Sequence, residues 1–437
     1  MKRRAFLKSG ALATGAMMMP VPLLAQQGKI KLAILGTGWW ATSYLMPNIV
    51  SSGQYEIIAL CDVDSGVLNK TAHKVVEDGG EMPRLFASYE EMFEVPGLQA
   101  VVIATPTHWH ALQFIAACEK GLHVFLEKPI SYDIREAQAM LEAKRKAGNV
   151  VLVDFPRVML DVNTQVKEYI ESGAAGKIME VKANIISNEG PLFEKAIPDT
   201  MDFETYCGPA PMQKYMCPEK GNKPRWRDQF AFSRGVMVDW GIHYIHNVRQ
   251  VLNLDLPEYI SAMGGSISSY PRENPDQLYA RLEYDGLPVY WSHKTWGYKA
   301  PDPEHNIGVF YYGEKANIFA GDVGWRIYPG DGSESINHGD IRFRPGAPEN
   351  QPFMKKMFLS MFMEFAEGIR NASNQGVTNT FEEAFKTTSS VIYADMAYRT
   401  QGQVQIDPSS MDILNSEEAR AGLKREYRSP YIHPYSG

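Results

Sequence analysis

Six residues, Gly36-Thr37-Gly38-Trp39-Trp40-Ala41, follow the apolar run 30–35 without a break, and the next apolar run, 55–61, ends in Cys61-Asp62. A strand that enters a G-x-G-x-x-A turn and leaves it as a helix commits the chain to a βαβ beginning. Glycine at 36 permits the tight turn, Gly38 lets backbone approach a pyrophosphate, and Ala41 lets helix and strand pack closely. The helix N-terminus adds N–H groups and partial positive charge. Thr37, Trp39 and Trp40 fill the other turn positions and are candidate contacts to the same ligand.

The rest of the first third repeats the pattern. Apolar strand-like runs at 30–35, 55–61, 100–105, 122–126 and 150–153 alternate with helical stretches at 40–52, 66–78, 89–94, 110–120 and 134–147. Strands rich in Val, Ile and Leu without strict alternation suit a parallel sheet buried on both faces, so a doubly wound α/β domain is expected over residues 26–153. After Arg157 the texture changes. A helix at 162–172 precedes strand candidates at 178–187, 259–268, 277–284, 289–295, 307–312, 316–320 and 325–328, several of them alternating, and helices return at 355–373 and 381–399. This predicts a second α/β domain, 154–437, around a large, mostly antiparallel open sheet. Asp62 stands where a carboxylate accepts hydrogen bonds from a ribose diol and repels a 2′-phosphate, and no Arg follows within 63–66. NAD is favoured, with NADP left open because other loops can supply cations.

Residues 1–25 read as an address. Lys2-Arg3-Arg4 opens a twin-arginine n-region, a weakly apolar stretch follows, and Ala25 ends a plausible cleavage site. That predicts handling by the twin-arginine export machinery and a periplasmic mature protein. The net charge of −7 becomes −11 without these residues, which argues against nucleic acid as a partner. No later apolar run approaches the ~18 residues of a membrane span, so no membrane anchor is expected after processing. Cys61 and Cys118 read as core residues; Cys207 and Cys217 either pair in an oxidising compartment or stay thiols. No Cys/His spacing suggests a metal.

Two further motifs follow strand ends, where an open α/β sheet holds its ligand: Thr105-Pro106-Thr107-His108-Trp109-His110 and Glu127-Lys128-Pro129. With the glycine turn and Asp62 they resemble the glucose-fructose oxidoreductase / inositol dehydrogenase / MocA-like (Gfo/Idh/MocA) family, over nearly the whole mature chain. The resemblance implies that Thr105, Pro106, His110 and Glu127 border the cofactor and that Lys128 borders both nicotinamide and the reacting hydroxyl. It also matches Asp239 and His243, within Gly235-Val-Met-Val-Asp-Trp-Gly-Ile-His243, to the family's second catalytic segment. His243 would take the hydroxyl proton and Asp239 would orient the sugar. If 239–252 is helical, Asp239, His243, His246 and Gln250 share one face. The family often has an acid at position 246, so the role of His246 is open. At Asp154-Phe155-Pro156-Arg157 relatives commonly carry Asn or Gln before an Arg; Arg157 is expected near the nicotinamide or substrate, or else in an ion pair at the domain boundary. Arg225, Trp226, Arg227, Trp291, Trp296, Tyr298 and Trp325 are candidate sugar-recognition residues, although aromatics in a sheet are more often core.

The implied activity is an NAD-dependent oxidoreductase acting at a secondary hydroxyl of a sugar, glycoside or cyclic polyol, in a homo-oligomer. Export of folded protein away from free nucleotide adds that the NAD is tightly held and recycled in place. A glycoside hydrolase or lyase using transient oxidation is the alternative, disfavoured by the presence of Lys128, and a non-catalytic sugar-binding protein is a third.

Overall fold

The computed structural model describes residues 28–270, 272–297, 304–340 and 351–435; the expected signal at 1–25 and the candidate Tyr298 lie outside them. The first sheet is wholly parallel. Its strands are β1 (Ile30–Leu35), β2 (Tyr55–Cys61), β3 (Arg84–Phe86), β4 (Ala100–Ile103), β5 (His123–Leu126) and β6 (Val151–Val153), in the order β3-β2-β1-β4-β5-β6. Every residue of β4 and β6 is buried, which is why these strands read as unbroken apolar runs. Helices α1 (Met46–Ser52), α2 (Ser65–Glu77), α3 (Tyr89–Phe93), α4 (His110–Glu119) and α5 (Ile134–Ala147) connect them. β3 is the strand of this sheet that sequence reading missed. Its two exposed residues and one half-buried residue leave no apolar run to find. In the second domain sequence reading also missed the short strands Leu192–Glu194, Met216–Pro218, Ile336–His338, Gln403–Asp407 and Asp412–Ile413. The helix expected at 40–52 is a π-helical turn, Ala41–Leu45, continued by α1.

The second sheet has ten strands and is antiparallel except for one pair. After α6 (Asp161–Glu171) come β7 (Ile178–Ile186), a hairpin of β8 (Leu192–Glu194) and β9 (Met216–Pro218) enclosing α7 (Phe203–Cys207), and α8 (Ile242–Leu252). Then follow β10 (Tyr259–Gly265), β11 (Gln277–Tyr284), β12 (Leu287–Lys294), β13 (Ile307–Gly313), β14 (Ala316–Ala320), β15 (Trp325–Pro329) and β16 (Ile336–His338). Helices α9 (Gln351–Asn371) and α10 (Phe381–Arg399), strands β17 (Gln403–Asp407) and β18 (Asp412–Ile413), and α11 (Glu417–Ala421) complete the chain. The order is β16-β15-β14-β13-β7-β12-β11-β10-β17-β18, with β7 and β12 parallel. Burial alternates along β11 and β12, as expected for strands with one packed face.

Two late segments return to the first domain. Phe358, Met361, Phe362 and Phe365 of α9 are fully buried in one core with Leu32, Leu60, Val102 and Phe125, and the Phe125 and Phe362 rings stack 4.6 Å apart. Burying each such side chain is worth roughly 1.5–3 kcal/mol, so α9 contributes on the scale of a whole domain's net stability. The tail from Pro408 on, too polar to place from sequence, forms β18 and α11 and then lies across α5: Arg425 pairs with Glu136 at 2.8 Å, and its backbone N–H donates to Asp133. All four cysteines are free and buried. The possible Cys207–Cys217 pairing is therefore corrected; both thiols pack as apolar groups in a small core with Phe203, Tyr206 and Phe232.

Candidate active site

The strand ends β1, β2, β4 and β5 open into a cleft of about 580 Å³, in the range of small-molecule sites. Gly36 has φ +86°, and a Cβ there would stand 2.8 Å from the Ala104 backbone, so only glycine lets the turn lie against the end of β4. Above Gly38 no protein atom lies within 4 Å of where a Cβ would be. That open cradle, at the start of a helix, has room for a pyrophosphate. Asp62 lines the cleft and also fastens the turn. Its Oδ2 accepts from the Thr37 N–H at 2.7 Å and the Thr37 hydroxyl at 3.0 Å, and its Oδ1 from the Asp64 N–H. Thr37 itself is buried, so its contribution is to hold Asp62. Asp64, Glu90 and Glu91 line the same end of the cleft.

Trp39, Trp40, Thr105, Pro106, Glu127 and Lys128 line the cleft as well. The Trp40 indole N–H donates to Glu127, and Glu127 lies against the buried carboxyl of Asp154. Burial, then the Asp154 charge, push the Glu127 carboxyl well up, and burial pushes Asp154 up too. A single proton shared between the two acids satisfies both. His110 does not line the cleft. Its ring lies between two backbone carbonyls, Pro129 at 2.8 Å and Thr105 at 2.9 Å, of which a neutral imidazole can donate to one. Burial and the Lys128 charge pull its pKa to about 4 against those two contacts.

At the inner end, Lys128 Nζ donates to Asp239 Oδ1 at 2.9 Å and to the Asp239 carbonyl at 2.7 Å, while Arg227 Nε meets Asp239 Oδ2 at 2.9 Å. Burial opposes ionisation of this carboxyl, but the charges of Arg227 and Lys128 outweigh it and hold the pKa at about 2. A π-helical turn, Met237–Gly241, carries Asp239 into α8, where His243 is buried with Nδ1 unpartnered. Burial and the charges of Lys128, Arg157 and Arg227 push His243 well below the usual histidine range. It is a neutral imidazole beside an ammonium.

The shared helical face is divided by distance along the axis, at 1.5 Å per residue. His246, one turn beyond His243, stacks on Phe155 at 3.9 Å and meets the Thr387 hydroxyl, and Gln250 reaches Glu383. Both are spent on α10. Of the two places expected for Arg157, the structure shows the ion pair. Its guanidinium forks onto Asp322 at 3.0–3.2 Å between the Trp240 and Tyr244 rings. Of the aromatic candidates, Trp226 lines the cleft, Trp291 and Trp325 are core, and Trp296 sits under Lys294. Asp322 was invisible in sequence because it meets Arg157 from 165 positions away, and the pairing of Arg227 with Asp239 because it joins a loop to a π-helical turn that no regular period predicts.

Residues 30–155 match the sequence profile of an oxidoreductase family with an NAD-binding Rossmann fold, and residues 165–263 match that family's C-terminal α/β domain. The scyllo-inositol 2-dehydrogenase (NAD(+)) of Bacillus subtilis is 28% identical over 150 residues, 34% of this chain and 42% of that one. A glycosyl hydrolase family 109 protein of Stenotrophomonas maltophilia is 26% identical over 191 residues, 42% of each. The chain thus spans about two fifths of the length of these curated relatives. The aldose-aldose oxidoreductase of Caulobacter crescentus, solved with glycerol, superposes with a TM-score of 0.64 at 18% identity, covering 87% of this chain and 100% of that one.

Proposed function

Because this chain belongs to the Gfo/Idh/MocA oxidoreductase family, whose first domain binds NAD, we propose that it transfers hydride at a secondary hydroxyl of a sugar, glycoside or cyclic polyol. One observation carries the reading: Lys128, which lines the cleft, is clamped by Asp239, and the same helical segment carries the buried ring of His243 one turn on.

When bound, NAD⁺ supplies the hydride acceptor. Gly36, Gly38 and Asp62 would hold its pyrophosphate and ribose, and the acids Asp64, Glu90 and Glu91 would repel a 2′-phosphate. Lys128 hydrogen-bonds the substrate oxygen and stabilises the negative charge that grows on it as the C–H bond breaks. His243 takes the hydroxyl proton, which a histidine held neutral at working pH can do. Asp239 keeps Lys128 aimed and neutralises one of the two cations beside it. The reverse reaction returns the proton from His243 to a carbonyl oxygen.

The names of the aldose-aldose oxidoreductase and the inositol dehydrogenase support a sugar or polyol substrate, and we infer a cycle in which a second carbonyl compound re-oxidises the bound nucleotide in place. The expected export signal at 1–25 supports a resident nucleotide, since such a cycle needs no external NAD. The family 109 relative favours one alternative, glycoside cleavage through transient oxidation. The test is to add candidate sugars to the nucleotide-loaded protein and follow 340 nm absorbance, alongside release of nitrophenol from aryl glycosides. Reduction of bound nucleotide without aglycone release supports the dehydrogenase; steady aglycone release with no net reduction supports cleavage.

A further inference from the structure

We propose that the C-terminal tail is a nucleotide-binding element: Tyr431 walls the adenosine end of the cleft, and Arg428 latches a strap of the second domain, residues 198–210, across it. The proposal deepens the reading of a resident NAD and rests on it.

The strap is tied on both sides of the cleft. On one side the Ser65 N–H donates to the Thr200 carbonyl at 2.8 Å and the Asp202 N–H to the Val63 carbonyl at 2.9 Å, directly after Asp62. On the other, His108 Nε2 lies 2.9 Å from the Tyr206 carbonyl, and the Trp109 indole N–H donates to the same oxygen at 3.1 Å. Met201, Asp202, Thr205 and Tyr206 thereby line the cleft from above. Gly208 lies so flat on the Trp109 ring that a Cβ there would come within 2.2 Å of it.

The tail fastens the strap. The Arg428 N–H donates to the Pro209 carbonyl at 2.9 Å, its Nε to Gly208 at 3.0 Å and its Nη2 to Glu204 at 2.9 Å. Three carbonyls at the end of α7 are thus gathered by one residue. Three positions on, Tyr431 meets Trp109 edge-on at 5.2 Å and lines the cleft, with Tyr89 against the far side of the same cluster. The tail is held at both ends of this stretch, by Arg425 on Glu136 and the His108 carbonyl and by His433 on Asp133. A nucleotide lying along Asp62 leaves only after the strap lifts, and the strap lifts only after the tail lets go.

The experiment uses the full chain as purified, saturated with NAD⁺ and then dialysed against nucleotide-free buffer, with retained nucleotide followed by mass spectrometry. The unaltered protein should keep its NAD, whereas Arg428→Ala and Tyr431→Ala should release it ~10-fold faster, the scale of a lost charge-assisted hydrogen bond for the first and of a lost aromatic contact for the second. Tyr431→Phe, which keeps the ring, should retain it. Should Arg428→Ala unfold, Tyr431→Ala, a change at a half-buried ring, carries the test. Release from both alanine variants at the parental rate overturns the latch, as does rapid loss from the parent. A parent that keeps NAD yet shows no 340 nm change with any sugar overturns the dehydrogenase reading instead.

Discussion

Asp239 holds Lys128 twice, through its carboxylate at 2.9 Å and its own backbone carbonyl at 2.7 Å, and gives its second carboxylate oxygen to Arg227. The ammonium is fixed in position by one residue, and that residue stays ionised far below neutral pH.

Removing the clamped cation should therefore stop chemistry without emptying the cleft. Lys128→Met should lower the rate of hydride transfer ~10²–10³-fold, the scale of a lost charge-stabilising group. Asp239→Asn, which keeps one acceptor, should cost less. Stopped-flow absorbance at 340 nm on nucleotide-loaded protein measures both, and mass spectrometry confirms that NAD remains.

His243 is the group whose pH dependence reports on this arrangement. Its pKa lies below the usual 6.5, so the acid limb of kcat/KM should fall below that pH. A positive neighbour lowers a histidine pKa, so Arg227→Gln should raise it and move the limb to higher pH. A limb that stays in place in Arg227→Gln means that His243 is not the titrating base.

The Glu127–Asp154 pair should make the protein less stable as pH rises. Both folded-state pKa values are raised, so the folded state binds protons that the unfolded chain has already lost, and stability falls from the ordinary carboxylate range up through the folded values. Asp154→Asn supplies a donor to Glu127 and removes one acid. It should stabilise the nucleotide-free protein at pH 7 by ~1 kcal/mol or more and flatten its melting temperature against pH.

Asp62→Ala should have two effects at once. Loss of the carboxylate relaxes discrimination against NADP, and the Thr37 N–H and hydroxyl lose their acceptor, so NAD itself should bind more weakly by ~1–3 kcal/mol. Isothermal titration with both nucleotides separates the two effects. Equal affinity of the unaltered protein for NADP and NAD would contradict the role given to Asp62.

What sequence could disclose follows from how far apart the cooperating residues lie. The glycine turn, Asp62 and Glu127-Lys128-Pro129 each sit at the end of an apolar strand, so local pattern alone brought them to one edge of one sheet. Asp239 and His243 were reachable only through resemblance, and the π-helical turn between them breaks the regular period. Arg157 could be found but not its acceptor, because Asp322 lies 165 positions away in a turn with no motif of its own. Tyr431 lies in a polar tail whose placement depends on ion pairs with Asp133 and Glu136, and ion pairs leave no periodicity.

The position of α9 bears on how such a molecule is made. Strands β1, β2, β4 and β5 leave the ribosome first, yet the face they share with Phe358, Phe362 and Phe365 stays uncovered until residue 371 has been synthesised. That face of the first domain stays unfilled while the chain is still growing through the second sheet. A fragment ending near residue 155 would expose that unfilled face to solvent and aggregate, however complete its glycine turn.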